Sequence, residues 1–237
     1  MSRKNILFPF CISLLISISL QAEKIDELNA KGLYHLNKGN YEKSLEAFQK
    51  VLQLDPNNSF AHYNLACSLS ILLEKNYCEN IDKIPEIYKH IQKAVKLKPS
   101  YKKKMLKDPD FTPLQKELKF YQIAGLNLAN TQNLNLVLTK VHWFGPANGI
   151  YGPKDGIIFY SDGSFRYWKS ELNEEGNIKK IYYKGNYNIK KSNIYLEFIE
   201  LVPNFKKKKF KGILQKGKLK ILGFPNAFSD DGSLCSA

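Results

Sequence analysis

The sequence predicts an α+β protein with two domains: a short α-solenoid followed by an antiparallel β barrel or curved sheet. From Glu23 to Tyr121, apolar residues recur at helical spacing, whereas from Leu134 onward they form short alternating runs. A helical half followed by a strand half favours two segregated units over a parallel α/β sheet. The predicted segments are a signal peptide over 1–22, a helical domain over 23–122, an Asn-rich linker over 123–133 and a β domain over 134–237.

Composition limits the class of protein. The 237 residues carry 36 Lys and Arg against 22 Asp and Glu, a formal net charge of +14, with 43% apolar and 13% aromatic residues. This is a globular composition, which excludes wholesale disorder. No apolar run reaches the roughly 18 residues of a membrane-spanning helix, and the four cysteines are too few for a disulfide-built mini-protein.

The N-terminus has the pattern of a secretory signal peptide. Arg3 and Lys4 give a positive start, residues 6–20 carry no charge, and Ala22 is the small residue that precedes the predicted cleavage. An uncleaved anchor is one alternative, but the apolar run covers only about 22 Å of a ~30 Å hydrocarbon core. A lipid anchor on Cys11 is another. We expect an exported protein of a bacterial envelope, periplasmic or secreted, and no nucleic acid as partner.

Export also permits disulfides. Cleavage would remove Cys11 and leave Cys67, Cys78 and Cys235, an odd number, so at least one thiol is free, intermolecular or modified. A bridge between Cys67 and Cys78 is possible if the predicted helix that carries Cys67 points it toward Cys78.

Residues 28–56 have the pattern of a helical hairpin. Tyr41, Leu45, Phe48 and Leu52 recur at i, i+4, i+7 and i+11, which places them on one face of a helix. Pro56 prevents that helix from continuing.

With its glycines and small residues, this segment resembles a tetratricopeptide (TPR) repeat, and the resemblance extends over about residues 24–100. It implies that Gly32 allows two antiparallel helices to approach closely. It also implies that Gly39 and Tyr41 mark the turn and the start of the second helix, with Ser44 at the crossing point.

A second repeat is centred on Ala66, 34 residues after Gly32. Its closing Pro99 comes nine residues late, and the extra residues are predicted to lie in Lys75–Lys83, where Asn and Asp favour turns. Ile87 stands where the family has a small residue, so a longer, splayed hairpin is expected.

A third unit is only partial. Residues 101–106 predict one or two helical turns. Thr112, Pro113 and Gln115 have the spacing of a capping box with proline at the first helical position. A helix running from there to Tyr121 would cover the open end of the solenoid.

The C-terminal half predicts antiparallel hairpins, because its alternating runs flank short turns. The paired runs are 157–160 with 165–168, 181–189 with 194–198, and 205–214 with 218–222. Gly163 and Gly217 supply turns. Leu134, Leu136 and Leu138 alternate ahead of these runs, and about seven strands favour a small barrel or a curved sheet.

Residues 159–165 and 185–189 are similar to segments of lipocalin-like envelope domains. This resemblance implies a barrel. It assigns no ligand-binding residue, because the Gly-x-Trp start of true lipocalins is absent around Trp143.

No catalytic or metal-binding motif is recognisable. Zinc-protease, Gly-x-Ser-x-Gly, dinucleotide-loop and phosphate-loop patterns do not occur, and the spacing of His35, His62 and His90 matches no ligand motif. Asp162 is best interpreted as a turn former, and Cys67 as a packed or bridged residue. The sequence therefore predicts no enzyme, no cofactor and no metal.

The strongest charge feature is a basic strip formed by Lys206, Lys207, Lys208 and Lys209. A functional strip would face an anionic envelope surface, lipid headgroups or an acidic protein. Alternatively, the lysines protect an edge strand against aggregation. Strict alternation would turn two of them inward, so a bulge or a position at the rim is expected.

The TPR resemblance also implies a partner site on the concave face. The candidate residues are Asn29, Leu33, Asn37, Tyr63, Asn64 and Cys67. Asn64 matches an asparagine with which the family often holds peptide backbone, since an amide donates and accepts at once. The alternative is that the closing helix or the β half fills this short groove.

These observations lead to the hypothesis of an exported, non-enzymatic TPR scaffold or adaptor that binds a protein or peptide partner. One alternative is a β domain that binds an apolar or lipidic ligand, with the repeats as a recruiting module. Another is an envelope-remodelling enzyme with an unrecognised site.

Overall fold

The computed structural model describes residues 7–147 and 154–230. The chain divides into two compact units, Met1–Pro113 and Leu114–Ala237. A helical part is followed by an antiparallel sheet, as predicted. The α-helices are α1 (Leu7–Asn37), α2 (Tyr41–Leu54), α3 (Ser59–Lys75), α4 (Ile84–Leu97), α5 (Tyr101–Met105), α6 (Leu118–Ile123) and α7 (Thr131–Lys140). Within the described ranges, no helix combines the length and the apolar character that spanning a bilayer requires.

The first helical hairpin, α1 with α2, confirms the predicted close crossing. A Cβ on Gly32 would lie 2.6 Å from Cε1 of Phe48, whose ring is fully buried. Opposite Gly32, the Ser44 hydroxyl donates to the Gly32 carbonyl oxygen at 3.0 Å. Small residues at the crossing therefore let two backbones approach while the Phe48 ring fills the space beside them.

The second hairpin, α3 with α4, contains the predicted insertion. Asn58 caps α3, because its side chain accepts a hydrogen bond from the Ala61 N–H at 3.0 Å. After α3 ends at Lys75, a turn and a 3-10 helix (Ile81–Lys83) lead into α4. The expected splay of this hairpin stays a prediction.

The structure of the partial third repeat matches the prediction only in part. Helix α5 confirms the turns expected from residue 101. The capping box is wrong, because residues Pro109–Lys116 form a 3-10 helix with Pro113 inside it, and the Thr112 hydroxyl donates back to the Pro109 carbonyl at 2.6 Å. The next α-helix, α6, starts only at Leu118. A local Thr–carbonyl bond competes here with helix initiation.

The second unit contains a seven-stranded meander in the order β1 to β7, with each strand antiparallel to its neighbours. The strands are β1 (Trp143–Ala147), β2 (Lys154–Phe159), β3 (Ser164–Leu172), β4 (Ile178–Lys190), β5 (Asn193–Phe198), β6 (Lys209–Gln215) and β7 (Lys218–Ile221). Residues 228–229 then bridge the two outer strands: Phe228 pairs with Leu219 of β7, and Ser229 pairs with Phe144 of β1. The sheet is thus a nearly closed barrel.

Helices α6 and α7 cover one end of this barrel. The Tyr187 hydroxyl of β4 donates to Asn135 of α7 at 2.7 Å, and the Gly217 turn lies beside Leu118 of α6. The interpretation of Leu134, Leu136 and Leu138 as a strand is wrong, because these residues belong to α7. Leu134 and Leu138 are buried, and Leu136 is partly exposed. A strand would place all three on one face, whereas a helix buries the i, i+4 pair and turns Leu136 away from it.

Aromatic rings fill the barrel interior. Ring centroids of Phe198 lie 4.9 Å from Phe165 and 5.7 Å from Phe210, and those of Phe224 lie 5.3 Å from Tyr167 and 4.6 Å from Phe205. Three of these contacts are edge-to-face and the Phe224–Phe205 contact is tilted, and such distances are those of a packed core. An enclosed apolar ligand would have to displace these rings.

The predicted bridge between Cys67 and Cys78 is wrong. Cys67 is a free and buried thiol, whereas Cys78 is disulfide-bonded, so its partner is not Cys67. Cys67 on α3 instead interacts with Asp110. Cys235 and the basic residues Arg3 and Lys4 lie outside the described residues.

Candidate functional site

The first repeat leaves part of its inner helix open. On α1, Asn29 and Leu33 are half-buried and Asn37 is exposed. The Oδ1 atom of Asn29 is shielded from solvent and has no hydrogen-bond partner among the described atoms. Asn29, Leu33 and Asn37 recur at i, i+4 and i+8, so they lie along one face of α1.

Tyr63 of α3 packs against the partial third repeat, the segment that follows Pro99. Its ring, fully buried, stacks on Tyr101 with centroids 4.4 Å apart and meets Phe111 edge-to-face at 5.5 Å. Its hydroxyl donates to Asp108 at 2.7 Å, and the Lys104 ammonium lies 4.2 Å from the ring centroid. Burial and the Asp108 hydrogen bond raise the pKa of Tyr63, so the phenol stays protonated.

Cys67 lies one helical turn from Tyr63 and is hydrogen-bonded to Asp110. Burial, followed by the charges of Asp108 and Asp110, raises the pKa of the Cys67 thiol well above its usual range. A neutral thiol is a poor nucleophile, so this site does not activate Cys67 for covalent chemistry. Burial and then the Asp108 charge raise the pKa of Asp110 as well.

Cys67, Asp108 and Asp110 form a group whose geometry suits a cation. Among the described residues they are the three ligating side chains that come together, with candidate ligand atoms within 4.8 Å of one another. These side chains nevertheless already have hydrogen-bond partners. The Cys67 thiol donates to the Asp110 carboxylate, and the Tyr63 hydroxyl donates to the Asp108 carboxylate. We therefore assign this group to the packing of α3.

Asn64 has little exposed surface. Only 5% of the residue is accessible, and its amide nitrogen donates to the Phe60 carbonyl oxygen at 2.9 Å, one turn back along α3. The structure thus separates the six candidates. On α1, Asn37 is exposed and Asn29 and Leu33 are half-buried, whereas Tyr63 and Cys67 pack against the partial third repeat. Partner binding by any of the six stays a prediction.

The structure also brings together two histidines that spacing alone did not connect. His62 Nδ1 and His90 Nδ1 are 2.7 Å apart, and His62 Nε2 lies 3.1 Å from the Pro56 carbonyl oxygen. Because a carbonyl only accepts, His62 carries its proton on Nε2 and accepts at Nδ1 from His90. Burial lowers the pKa of both rings, that of His90 to about 4. The residues are on facing helices, so no sequence motif marks the pair.

The basic strip lies at a rim of the barrel, as expected. Lys206, Lys207 and Lys208 are in the loop before β6, and Lys209 is its first residue; all four are exposed. The edge-strand explanation is wrong, because β6 is paired with β5 on one side and β7 on the other.

Comparisons with known proteins bear on the helical part of the chain. Residues 25–58 and residues 47–85 each match the family described as tetratricopeptide repeat. No curated protein and no solved structure matches the chain. The resemblance of the C-terminal half to lipocalin-like domains is not confirmed.

Proposed function

Since its helical part carries tetratricopeptide repeats, we propose that this protein is an exported, non-catalytic scaffold or adaptor of the cell envelope. Such repeats are protein–protein interaction modules. The carrying observation is that Asn29, Leu33 and Asn37, along one face of α1, remain partly or fully accessible. This face suits a protein segment, because the exposed Asn37 amide can bind backbone groups while Leu33 contacts an apolar side chain.

The bound segment is short in this proposal. Tyr101 and Phe111 already occupy the face of α3 around Tyr63, so the proposed groove is limited to the accessible face of α1. Two repeats leave room for a few residues of a partner rather than for a long helix. The neutral Cys67 thiol supports a binding role over a catalytic one.

Export is supported by the N-terminal sequence and by its fit to the helix. Residues 19–24, on both sides of the predicted cleavage, are exposed, so the cleavage site is accessible. A mature chain that begins at Glu23 would carry Glu23, Asp26 and Glu27 in or next to the first turn of α1. Acidic residues there stabilise a helix through its dipole.

The groove can be tested by site-specific photo-crosslinking in the native envelope. A photo-reactive residue at Leu33 or Asn37 should capture one protein, whereas the same residue at the exposed Lys89 of α4 should not. A second change, Asn29→Ala, should reduce capture from position 37 without lowering the melting temperature by more than a few degrees. Equal capture from positions 37 and 89 would contradict the proposed groove.

A further inference from the structure

The two ends of the barrel differ in what they expose. The end covered by α6 and α7 is described above. At the other end, where β3, β5 and β7 finish, aliphatic side chains stand in solvent: Ile199 is 64% exposed, Leu201 53% and Leu222 61%. Exposed aliphatic residues grouped at one place on a small domain mark an interaction surface.

The basic strip belongs to this same end. The Lys208 carbonyl accepts from the Phe198 N–H at 3.0 Å, and the Lys208 ammonium donates to the Ile199 carbonyl at 2.7 Å. Leu222 is tied to the neighbouring strand, where its N–H donates to the Lys211 carbonyl at 2.8 Å. We call the set of Ile199, Leu201, Leu222 and Lys206–Lys209 the apolar-basic rim.

The loop that carries the basic strip packs against the aromatic core of the barrel. Phe205 lies within the loop itself, with its ring centroid 5.1 Å from Phe210 and 4.6 Å from Phe224. The Lys207 ammonium lies 5.5 Å from the Phe210 ring centroid. The loop is therefore held on the barrel by its aromatic residue, while Ile199, Leu201 and the four lysines stay exposed to solvent.

We propose that the apolar-basic rim docks on an anionic phospholipid bilayer. Lysine is depleted in protein–protein interfaces, whereas lysines around exposed aliphatic residues suit a lipid surface. The alkyl stems of lysine lie along apolar groups while the ammonium reaches the phosphates, and the aliphatic tips enter the boundary between headgroups and acyl chains. This proposal concerns the second unit and does not rest on the peptide groove.

Charges around the rim define its limits. The Glu197 carboxylate forms an ion pair with the Lys209 ammonium, with Oε1 and Nζ 3.3 Å apart. Glu200 is the acidic residue in the loop between β5 and β6. The nearby β3–β4 hairpin also exposes two apolar residues, Leu172 and Ile178, which face each other. Its turn carries Glu174 and Glu175, which an anionic surface repels. The rim, and not this hairpin, is the docking surface.

Vesicle co-sedimentation of the purified full chain tests the proposal. We expect association with vesicles of phosphatidylcholine and phosphatidylglycerol at three to one, little with pure phosphatidylcholine, and weakening as salt rises. Lys206→Glu with Lys207→Glu should reduce association by about tenfold or more, because each lysine near an anionic surface contributes about fivefold. Lys190→Glu with Lys218→Glu is the matched control, since both residues are exposed at the helix-covered end.

The apolar part is tested by Ile199→Ser with Leu222→Ser, which should weaken association at every salt concentration. Near-ultraviolet circular dichroism of the aromatic core checks that each variant is folded. The proposal is overturned if wild type associates equally with the two kinds of vesicle. That result is expected if the rim instead binds an acidic protein. The proposal is also overturned if the control pair reduces association as much as the rim pair, or if the serine variant binds like wild type.

Discussion

At the scale of single residues, the polar groups of Tyr63 and Cys67 on α3 are buried and paired within the helical unit. Tyr63 and Cys67 occupy positions that a longer repeat array offers to a partner, yet here Asp108 and Asp110 reach them from the third unit. Buried polar groups must be paired, and this pairing stabilises the end of the solenoid.

Tyr63 is expected to behave as a core residue. Tyr63→Ala should lower the free energy of unfolding by about 3–5 kcal/mol, because it empties the space between Tyr101 and Phe111. Tyr63→Phe keeps the ring and loses the hydrogen bond to Asp108, at a cost of about 1–3 kcal/mol. Urea unfolding measures both. Equal losses in the two variants would show that the ring does not fill this space.

The His62–His90 pair is expected to make stability depend on pH. An unfolded histidine binds a proton below about pH 6.5, whereas burial lowers the pKa of folded His90 to about 4. Between these values the unfolded chain binds more protons, so the stability contributed by the pair is lost as pH falls from about 6.5 toward 4. Lys89 and Lys93 favour the neutral rings, while Asp55 acts in the opposite direction on His62.

His90→Asn tests this expectation, because its amide nitrogen can replace Nδ1 as the donor to His62 while no longer titrating. Urea midpoints between pH 7.5 and pH 4 should fall less steeply for His90→Asn than for wild type. Parallel pH curves for wild type and His90→Asn would contradict the role of the pair.

At the scale of elements, each helical hairpin depends on its crossing point. In the first hairpin, the absence of a side chain at Gly32 accommodates the Phe48 ring. In the second, buried Ile87 takes the place of a small residue. The two hairpins therefore differ in side-chain volume: glycine in the first, and isoleucine in place of a small residue in the second.

Gly32→Leu is expected to destabilise the helical unit by about 1–3 kcal/mol through overpacking, since even a Cβ would lie 2.6 Å from Phe48. The neighbouring Lys31→Leu is exposed on the same helix and serves as the control. Thermal unfolding followed by circular dichroism measures both. An unchanged melting temperature for Gly32→Leu would mean that the helices are not closely packed there.

At the scale of the whole molecule, two units with different surfaces share one chain. The first offers the inner face of α1, and the second offers the apolar-basic rim. If both proposals hold, the protein attaches a bound partner to a membrane surface, and linkage of two sites in one chain raises the effective concentration of one for the other.

The mature protein is expected to begin at Glu23. The charge pattern up to Ala22 predicts removal of the leader, and residues 19–24 around the cleavage site are exposed. Mass spectrometry of the N-terminal peptide from the native protein checks this. An intact Met1 would show that the segment is retained.

The sequence alone determined those features that depend on local periodicity. Helical spacing located α1 to α4, the late Pro99 located the insertion, and alternation between glycine turns located the hairpins of the sheet. It misassigned residues 134–138 because leucines at i and i+4 satisfy a helix as well as a strand. The capping-box pattern at Thr112 failed because a local hydrogen bond competes with the cap.

Tertiary structure alone decided which surfaces are free. It placed Asp108 beside Tyr63, joined His62 to His90, and brought Phe228 between the outer strands of the sheet. These contacts link residues far apart in the chain, and periodicity carries no information about which distant partner a face meets. The sequence could therefore nominate the concave face and the basic strip, whereas packing decided that α1 stays open, that α3 is covered, and that the lysines lie at a rim.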